Sequence, residues 1–581
     1  MPNRLKYLMA SIRVLPAEIR DRLRAGEVIE RPASALKELI ENSIDAGATR
    51  IRVDISGGGK RLLRVSDDGS GMAPEDALLS LERHATSKVS DVSELDYIKT
   101  LGFRGEALPS IALVSRFKLA TALKGSGEGV SIEAEGGQVI SNRPSAAGGT
   151  AIEVKDLFFN TPARKNFLKS DAAENARMLD IVTKYALAHP EIGFAVFVDG
   201  KENMALPPAT DERERLAQIY GAEFLEGLHD LQAKTKGISL RLFLSKEGNW
   251  RASRSGQFLF INGRPVKDTS LTYSVYAAHA GLPSGKHPVF FIFLAVDPAL
   301  IDVNVHPRKE EIRFRDKDAA YRFLMRSAKD ALASGMAGVS GISGTAAPVI
   351  GGARETVWNG PSLAPSGIQM PGTGSDYLKA AEALPLIPGQ KIHRGYISIG
   401  GAFSAWSEGD GITIIDRHAC HERVLYERLL KSARPAPGKL LFPLRIGLAP
   451  NSYSVITANL PLLNELDMEV EDFGAGSVLL RAVPAGLAGS PLSASEWAGI
   501  LSDLAHEIEE RGSAEPELKK AVAARLACHS SVRGTEELST GEMDKLLEDL
   551  FSCEDPLHCP HGRPTLINLG LEELKKMFRR K

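Results

Sequence analysis

Cysteine is scarce in this 581-residue chain: there are four, Cys420, Cys528, Cys553 and Cys559, all in the last third. That excludes a disulfide scaffold and leaves metal or thiol chemistry as their better use. Long apolar runs are missing too. No stretch approaches the about 18 residues that a membrane-spanning helix needs, and the apolar segment near Met1 is too short for a signal peptide. A cytoplasmic protein with no membrane partner is therefore expected. Aromatics are only 6%, whereas hydrophobic residues reach 43% and charged ones 25%, values that exclude whole-chain disorder and a collagen-like repeat. At this length one core does not suffice, so several domains are expected.

Net charge is small, -2 in all, but it divides unevenly. Residues 1–334 hold 47 basic side chains against 43 acidic ones, and residues 391–581 hold 22 against 27. Over residues 251–329 the ratio sharpens to 13 against 7, a basic stripe suited to phosphate backbones, with a solvated mixed-charge face as the competing reading. Between the two parts, residues 335–390 contain 11 glycines, 6 prolines and only five charged side chains, the composition of a flexible linker. Domain-size arithmetic then splits the first part into residues 1–209 and 210–334, with 391–581 as the C-terminal domain. Helical periodicity at Ala33, Leu36, Leu39 and Ile40 alternates with strand patterns such as Arg50–Ile55, which predicts an α+β architecture.

Three segments of the N-terminal part carry candidate chemistry. Glu38 and Asn42 are four apart and share a helical face, where a carboxylate can activate water and a carboxamide oxygen can ligate magnesium. An ordinary exposed pair is the competing reading. Asp67-Asp68-Gly69-Ser70-Gly71 follows a strand, so an acid and two glycines sit at an exit where backbone can approach a flat ligand. Gly102-Phe103-Arg104-Gly105-Glu106 precedes an apolar helical stretch, so its amides face a helix N-terminus, favourable to phosphate. The spacing matches neither the dinucleotide nor the P-loop fingerprint.

In the C-terminal part a strand, Gly411–Ile415, leads into Asp416-Arg417-His418-Ala419-Cys420-His421-Glu422. His418 and Glu422 are four apart and can ligate one ion from a single helix face. Far along the chain, Cys559-Pro560-His561 offers a thiolate and an imidazole to the same ion, and Cys528 lies between. This donor set suits zinc, or manganese where carboxylate oxygen and water dominate.

The segments AGEVIERPASALKELIENSIDAGAT, RHATSK, LGFRGEALPSIA and DLFFNTPARKNFLK, together with Ile261–Pro265 and Asp302–Lys309, resemble the MutL family of mismatch-repair proteins over nearly all of the chain except the linker. The resemblance implies the ATPase sandwich shared with gyrase, chaperones and histidine kinases, a second transducer-like domain, and a C-terminal dimerisation and endonuclease domain. It makes Glu38 the general base for ATP hydrolysis and Asn42 the magnesium ligand. Asp67 would take the adenine amino group beside Gly71 and Thr150. Lys88 and the stretch Gly102, Phe103, Arg104, Gly105, Glu106, Ala107 and Leu108 would cover the phosphates as a lid, with Lys309 reaching the γ-phosphate. Arg264 would belong to a DNA-contacting surface. No aromatics interleave the basic residues, so any DNA contact is expected to be with phosphates and largely independent of sequence.

Members of the family that nick DNA have a DQHA-x2-E-x4-E motif and a CPHGRP-like terminus. Asp416, His418, Glu422 and Glu427 match the first, with Arg417 in place of glutamine, and Cys559–Pro564 match the second. The resemblance thus implies a homodimeric, metal-dependent nicking protein in which Asp416 is catalytic and His418, Glu422, Cys528, Cys559 and His561 hold zinc or manganese. It implies the mismatch-recognition protein MutS as a partner. Gly438–Pro443 lacks the glutamine that leads the family's sliding-clamp segment, so strong clamp docking is not expected. The alternative is a non-nucleolytic, ATP-switched matchmaker with a structural zinc site. A topoisomerase subunit is excluded, because Glu408–Gly411 lacks the serine and alanine of that enzyme's motif and no acidic pair of the right pattern follows.

Overall fold

The computed structural model describes residues 28–334 and 395–578, apart from 89–99, 103–104, 146–147, 248, 252, 280–281, 283–285, 303–311, 401, 409–410, 432–437, 475, 485–491, 512–514 and 531–537. The expected linker lies outside the described residues. Two compact units result, Met1–Gly335 with Arg434–Val522 and Met336–Ala433 with Ala523–Lys581.

The first unit contains an eight-stranded sheet built from β1 (Arg50–Ser56), β2 (Leu62–Asp67), β3 (Arg116–Ala122), β4 (Gly129–Glu135), β5 (Gln138–Ser145), β6 (Gly149–Lys155), β7 (Gly193–Val198) and β8 (Lys201–Leu206). Their order is β5-β4-β3-β6-β2-β1-β7-β8. Alternation decides which face is covered: Ile51, Val53 and Ile55 of β1 and Leu63 and Val65 of β2 are buried together. Helices Pro32–Asp45 and Asp171–Ala188 supply the rest of that core. Pro32 opens the first helix with a backbone already set for it. Leu36, Leu39, Ile40 and Ser43 bury one side of it. The neighbouring stripe, at the i, i+4 and i+7 positions, is Glu38, Asn42 and Asp45.

A second sheet of the same unit comprises β9 (Leu228–Thr235), β10 (Ile238–Ser245), β11 (Gln257–Ile261), β12 (Arg264–Pro265) and β13 (Phe290–Val296), ordered β12-β11-β13-β10-β9. One set of its side chains, Phe243, Phe258, Phe260 and Phe291, joins the first core. The other set, including Leu240, Leu242 and Ile292, packs on helix Lys317–Ser334 through Leu324 and Ala328. A short pair, β14 (Ile301–Asp302) and β15 (Arg313–Phe314), adjoins that helix.

In the second unit, β16 (Ile397–Ile399), β17 (Phe403–Glu408), β18 (Gly411–Asp416) and a strand from the far end of the chain, Leu566–Leu569, form one sheet in that order. Helices Arg417–Lys431 and Thr540–Phe551 close its core around Trp406, Ile415, Cys420, Val424, Leu547, Leu550 and Leu566. The α+β expectation is met throughout. Residues 434–522, with their own three-stranded sheet of Gly438–Gly447, Glu469–Gly474 and Ser477–Val483, group with the first unit.

Candidate functional site

In the first unit, Asp67 ends β2 and is paired in register with Thr150 of β6. Ser43, one helical position past Asn42, donates its hydroxyl to Asp67 Oδ2 at 2.8 Å, and the Gly69 amide donates to Oδ1 at 3.0 Å. Burial pushes the Asp67 carboxyl above the usual carboxylate range while those two bonds pull it back. Asp68 turns the other way, accepting from the amides of Thr49 and Arg50 and from both their side chains. These bonds outweigh the cost of burial and hold it well below the usual range. Thr121 Oγ1 accepts from the Met72 amide, donates to the Gly149 carbonyl and lies 3.1 Å from Thr150 Oγ1. Gly71, at φ +66°, passes so close to β3 that a Cβ would sit 1.9 Å from the Ala122 carbonyl oxygen.

Glu38 lies one turn before Asn42, with its side chain 25% exposed and Lys37 Nζ 3.8 Å away. Asn42 Oδ1 accepts from Lys88 Nζ at 2.8 Å, and the same ammonium reaches Asp45 Oδ2 at 2.5 Å. Gly102 is close enough that a Cβ there would meet Lys88 Nζ at 3.0 Å. Gly105, at φ +60°, accepts from the His84 amide and runs against the backbone of Ala85. Glu106 is on the surface 3.6 Å from His84, Ala107 opens helix Ala107–Leu113, and Leu108 packs on the core. Phe103, Arg104 and Lys309 lie outside the described residues.

Arg264 departs from expectation. It is 7% exposed, and its guanidinium donates to the carbonyl of Thr100, two residues before Gly102. Burial draws its pKa down against the attraction of Glu41. The reason is β12, a two-residue strand turned back on β11 that packs against helix Asp171–Ala188. This arginine presents no surface to DNA. Among the described residues of the same stretch, Arg254, Lys267, Arg313, Arg315, Lys317, Arg322, Arg326 and Lys329 are exposed.

In the second unit, Asp416 ends β18 and its Oδ1 accepts from the Ala419 amide at 3.1 Å, capping helix Arg417–Lys431. His418 Nε2 is 3.1 Å from Glu422 Oε1, and His561 Nδ1 is 3.6 Å from Glu422 Oε2. Glu422, Cys559 and His561 bring one ligand atom each to within 4.8 Å of one another. The Cys559 and His561 pair is aimed by a tight turn: the Cys559 amide donates to the Arg563 carbonyl at 2.8 Å, and Gly562, at φ +80°, donates back to the Cys559 carbonyl at 2.9 Å. Burial alone would raise the Cys559 thiol, but hydrogen bonds from His561 and Arg563 outweigh it and lower the pKa, which favours thiolate. A carboxylate only 3% exposed beside a thiol and two imidazoles fits a cation.

Cys528 is on helix Glu515–Ser530, but its side chain lies outside the described residues. Glu427, the last acid of the motif, is engaged elsewhere, accepting from the amides of Glu554 and Asp555 and from Lys431. Arg417 is buried at the helix start. Ser43, Asp45, Thr121 and Gly149 were not singled out from sequence. Only Asp45 left a signal there, lying three residues past Asn42 on the same helical stripe.

Residues 29–135 match the family described as histidine kinase-, DNA gyrase B- and HSP90-like ATPase. Residues 216–333 match the C-terminal domain of DNA mismatch repair proteins, and 398–538 the MutL C-terminal dimerisation domain. A DNA mismatch repair protein MutL of Thermodesulfovibrio yellowstonii is 39% identical over 98% of this chain and 100% of its own. That of Desulforudis audaxviator is 38% identical with the same coverage. The Aquifex aeolicus MutL ATPase domain complexed with ADP is 33% identical over 47% of this chain and 94% of that one, with a TM-score of 0.36. No helix among the described residues is long and apolar enough to cross a membrane. This chain, with an ATPase domain at its start and a dimerisation domain near its end, belongs to the MutL family of DNA mismatch repair proteins.

Proposed function

We propose that this mismatch-repair ATPase also nicks DNA, using the Asp416, His418, Glu422, Cys559 and His561 cluster. The observation that carries the reading is the gathering of Glu422, Cys559 and His561 from distant segments into one small, partly buried donor set. A zinc or manganese ion bound by His418, Glu422, Cys559 and His561, with Cys528 as a further ligand, would supply Lewis-acid stabilisation of charge developing on a phosphodiester. Asp416, at the end of β18 beside that cluster, positions and deprotonates the attacking water.

In the first unit, Glu38 is the base for the water that attacks the γ-phosphate, and Asn42 supplies a carboxamide oxygen for magnesium. Asp67, held as an acceptor by Ser43 and Gly69, takes the adenine amino group. Lys88, Gly102, Gly105 and their neighbours hold the phosphates, and Lys309 adds a further cation. DNA is held through its phosphates by the exposed Arg313, Arg315, Arg322 and Arg326, which fits binding without sequence preference. A second copy of the chain covers the apolar face of the sheet in the second unit, and MutS is the partner that delivers the complex to mismatches.

The test is conversion of supercoiled plasmid to open circles. Full-length protein with manganese is expected to nick and Asp416→Asn to lose nicking while keeping ATPase activity. Equal nicking by Asp416→Asn would leave the cluster a structural metal site.

A further inference from the structure

Asp45 is absent from the roles given above, yet it stands at their centre. It is the last residue of helix Pro32–Asp45, the end where the helix dipole disfavours an anion, and its side chain is only 7% exposed. A charge so placed needs donors. Its Oδ1 accepts from the Leu101 amide at 2.7 Å, and its Oδ2 accepts from the Gly102 amide at 2.9 Å and from Lys88 Nζ at 2.5 Å. The same lysine also holds Asn42 Oδ1. One carboxylate therefore takes the Lys88 ammonium and the Gly102 amide that the ATP reading assigns to phosphates, and it draws the same lysine onto the magnesium ligand. Two adjacent amides and an ammonium converging on two oxygens are the donor pattern of a phosphate cradle.

We propose that Asp45 is a positioning residue that stands in for the nucleotide phosphates, holding Lys88 and the Leu101–Gly102 amides in a preassembled cradle from which an incoming polyphosphate must displace it. The inference rests on the ATP reading and deepens it. Donors cannot serve both anions fully, so phosphate binding competes with the Asp45 carboxylate and is also opposed by its like charge. Arg264 supports the arrangement from the second sheet, fixing the Thr100 carbonyl next to the two amides. The apparent affinity for ATP is the intrinsic affinity multiplied by the fraction of molecules in which this carboxylate is disengaged.

The test is the affinity of the full chain for a fluorescent ADP and a non-hydrolysable ATP analogue, with Asp45→Asn beside wild type. Removing the charge is expected to tighten both by about three- to tenfold, the size of a competing state that dominates the unliganded population. Hydrogen exchange of the peptide spanning residues 100–102 is expected to speed up in the variant without nucleotide and to slow again with it. A residue with only a structural role moves affinity the other way. Binding by both proteins with Asp45→Asn equal or weaker overturns the proposal and spares the ATP reading. Failure of both proteins to bind ends the two together. Should Asp45→Asn lose its helical circular dichroism, Asp45→Ser is measured in its place against the same criteria.

Discussion

Glu38 is the base that the proposed ATP hydrolysis assigns, and its neighbours show why its loss can be read cleanly. It contacts Lys37, whereas adenine recognition is assigned to Asp67 across the helix–strand boundary and is held by Ser43 and Gly69. Glu38→Ala is therefore expected to bind ATP normally and to hydrolyse it about a hundred- to ten-thousandfold more slowly, the loss typical of a positioned acid–base group. Steady-state phosphate release checks this, and a rate above half that of wild type removes Glu38 from the role. At this scale the placement of Glu38 and Asn42 on one helical stripe was readable, because their spacing of four carries it. Ser43 and Thr121 were not readable, because their roles come from contacts across elements: Ser43 on Asp67, and Thr121 on Met72 and Gly149.

The elements explain where Arg264 lies. Arg264 belongs to a basic stretch, and the family resemblance put it on a DNA surface, but the hairpin of β11 and β12 folds it onto Thr100. Hairpin direction depends on pairing partners distant in sequence, here β13 inserted between β10 and β11, so no local pattern encoded it. Arg264→Ala is expected to slow ATP hydrolysis several-fold and to change DNA affinity by less than about twofold, since a buried side chain makes no phosphate contact. Filter binding at two salt concentrations, run beside the ATPase assay, checks both halves. A large loss of DNA affinity with normal ATPase activity would return Arg264 to the DNA surface. The strands themselves were legible: Arg50–Ile55 alternates as it should, and Gln257–Ile261 is an apolar run that proves nearly fully buried.

At the scale of the whole molecule, the second unit leaves one face of its sheet apolar and open. Ile397 pairs with Ala405, Ala405 with Ile414, and Ile414 with Ile567, a continuous row across all four strands. Ile399, Phe403 and Ile412 lie on the same face, and of these residues Ile397, Ile399, Phe403, Ile412 and Ile567 are exposed. With a second copy proposed to dock on this face of the dimerisation domain, Ile567→Arg is expected to shift the protein from dimer to monomer by light scattering at micromolar concentration. An unchanged dimer mass would place the interface elsewhere. The site of Glu422, Cys559 and His561 is proposed to serve DNA cleavage within a working ATPase. Its most direct measurement is Glu422→Ala beside wild type, with bound zinc and manganese, plasmid nicking and ATP hydrolysis read from the same preparation. Wild type is predicted to hold metal and nick, and Glu422→Ala to lose both while hydrolysing ATP at the wild-type rate. Nicking at the wild-type level by a Glu422→Ala protein that has lost its metal would contradict the claim.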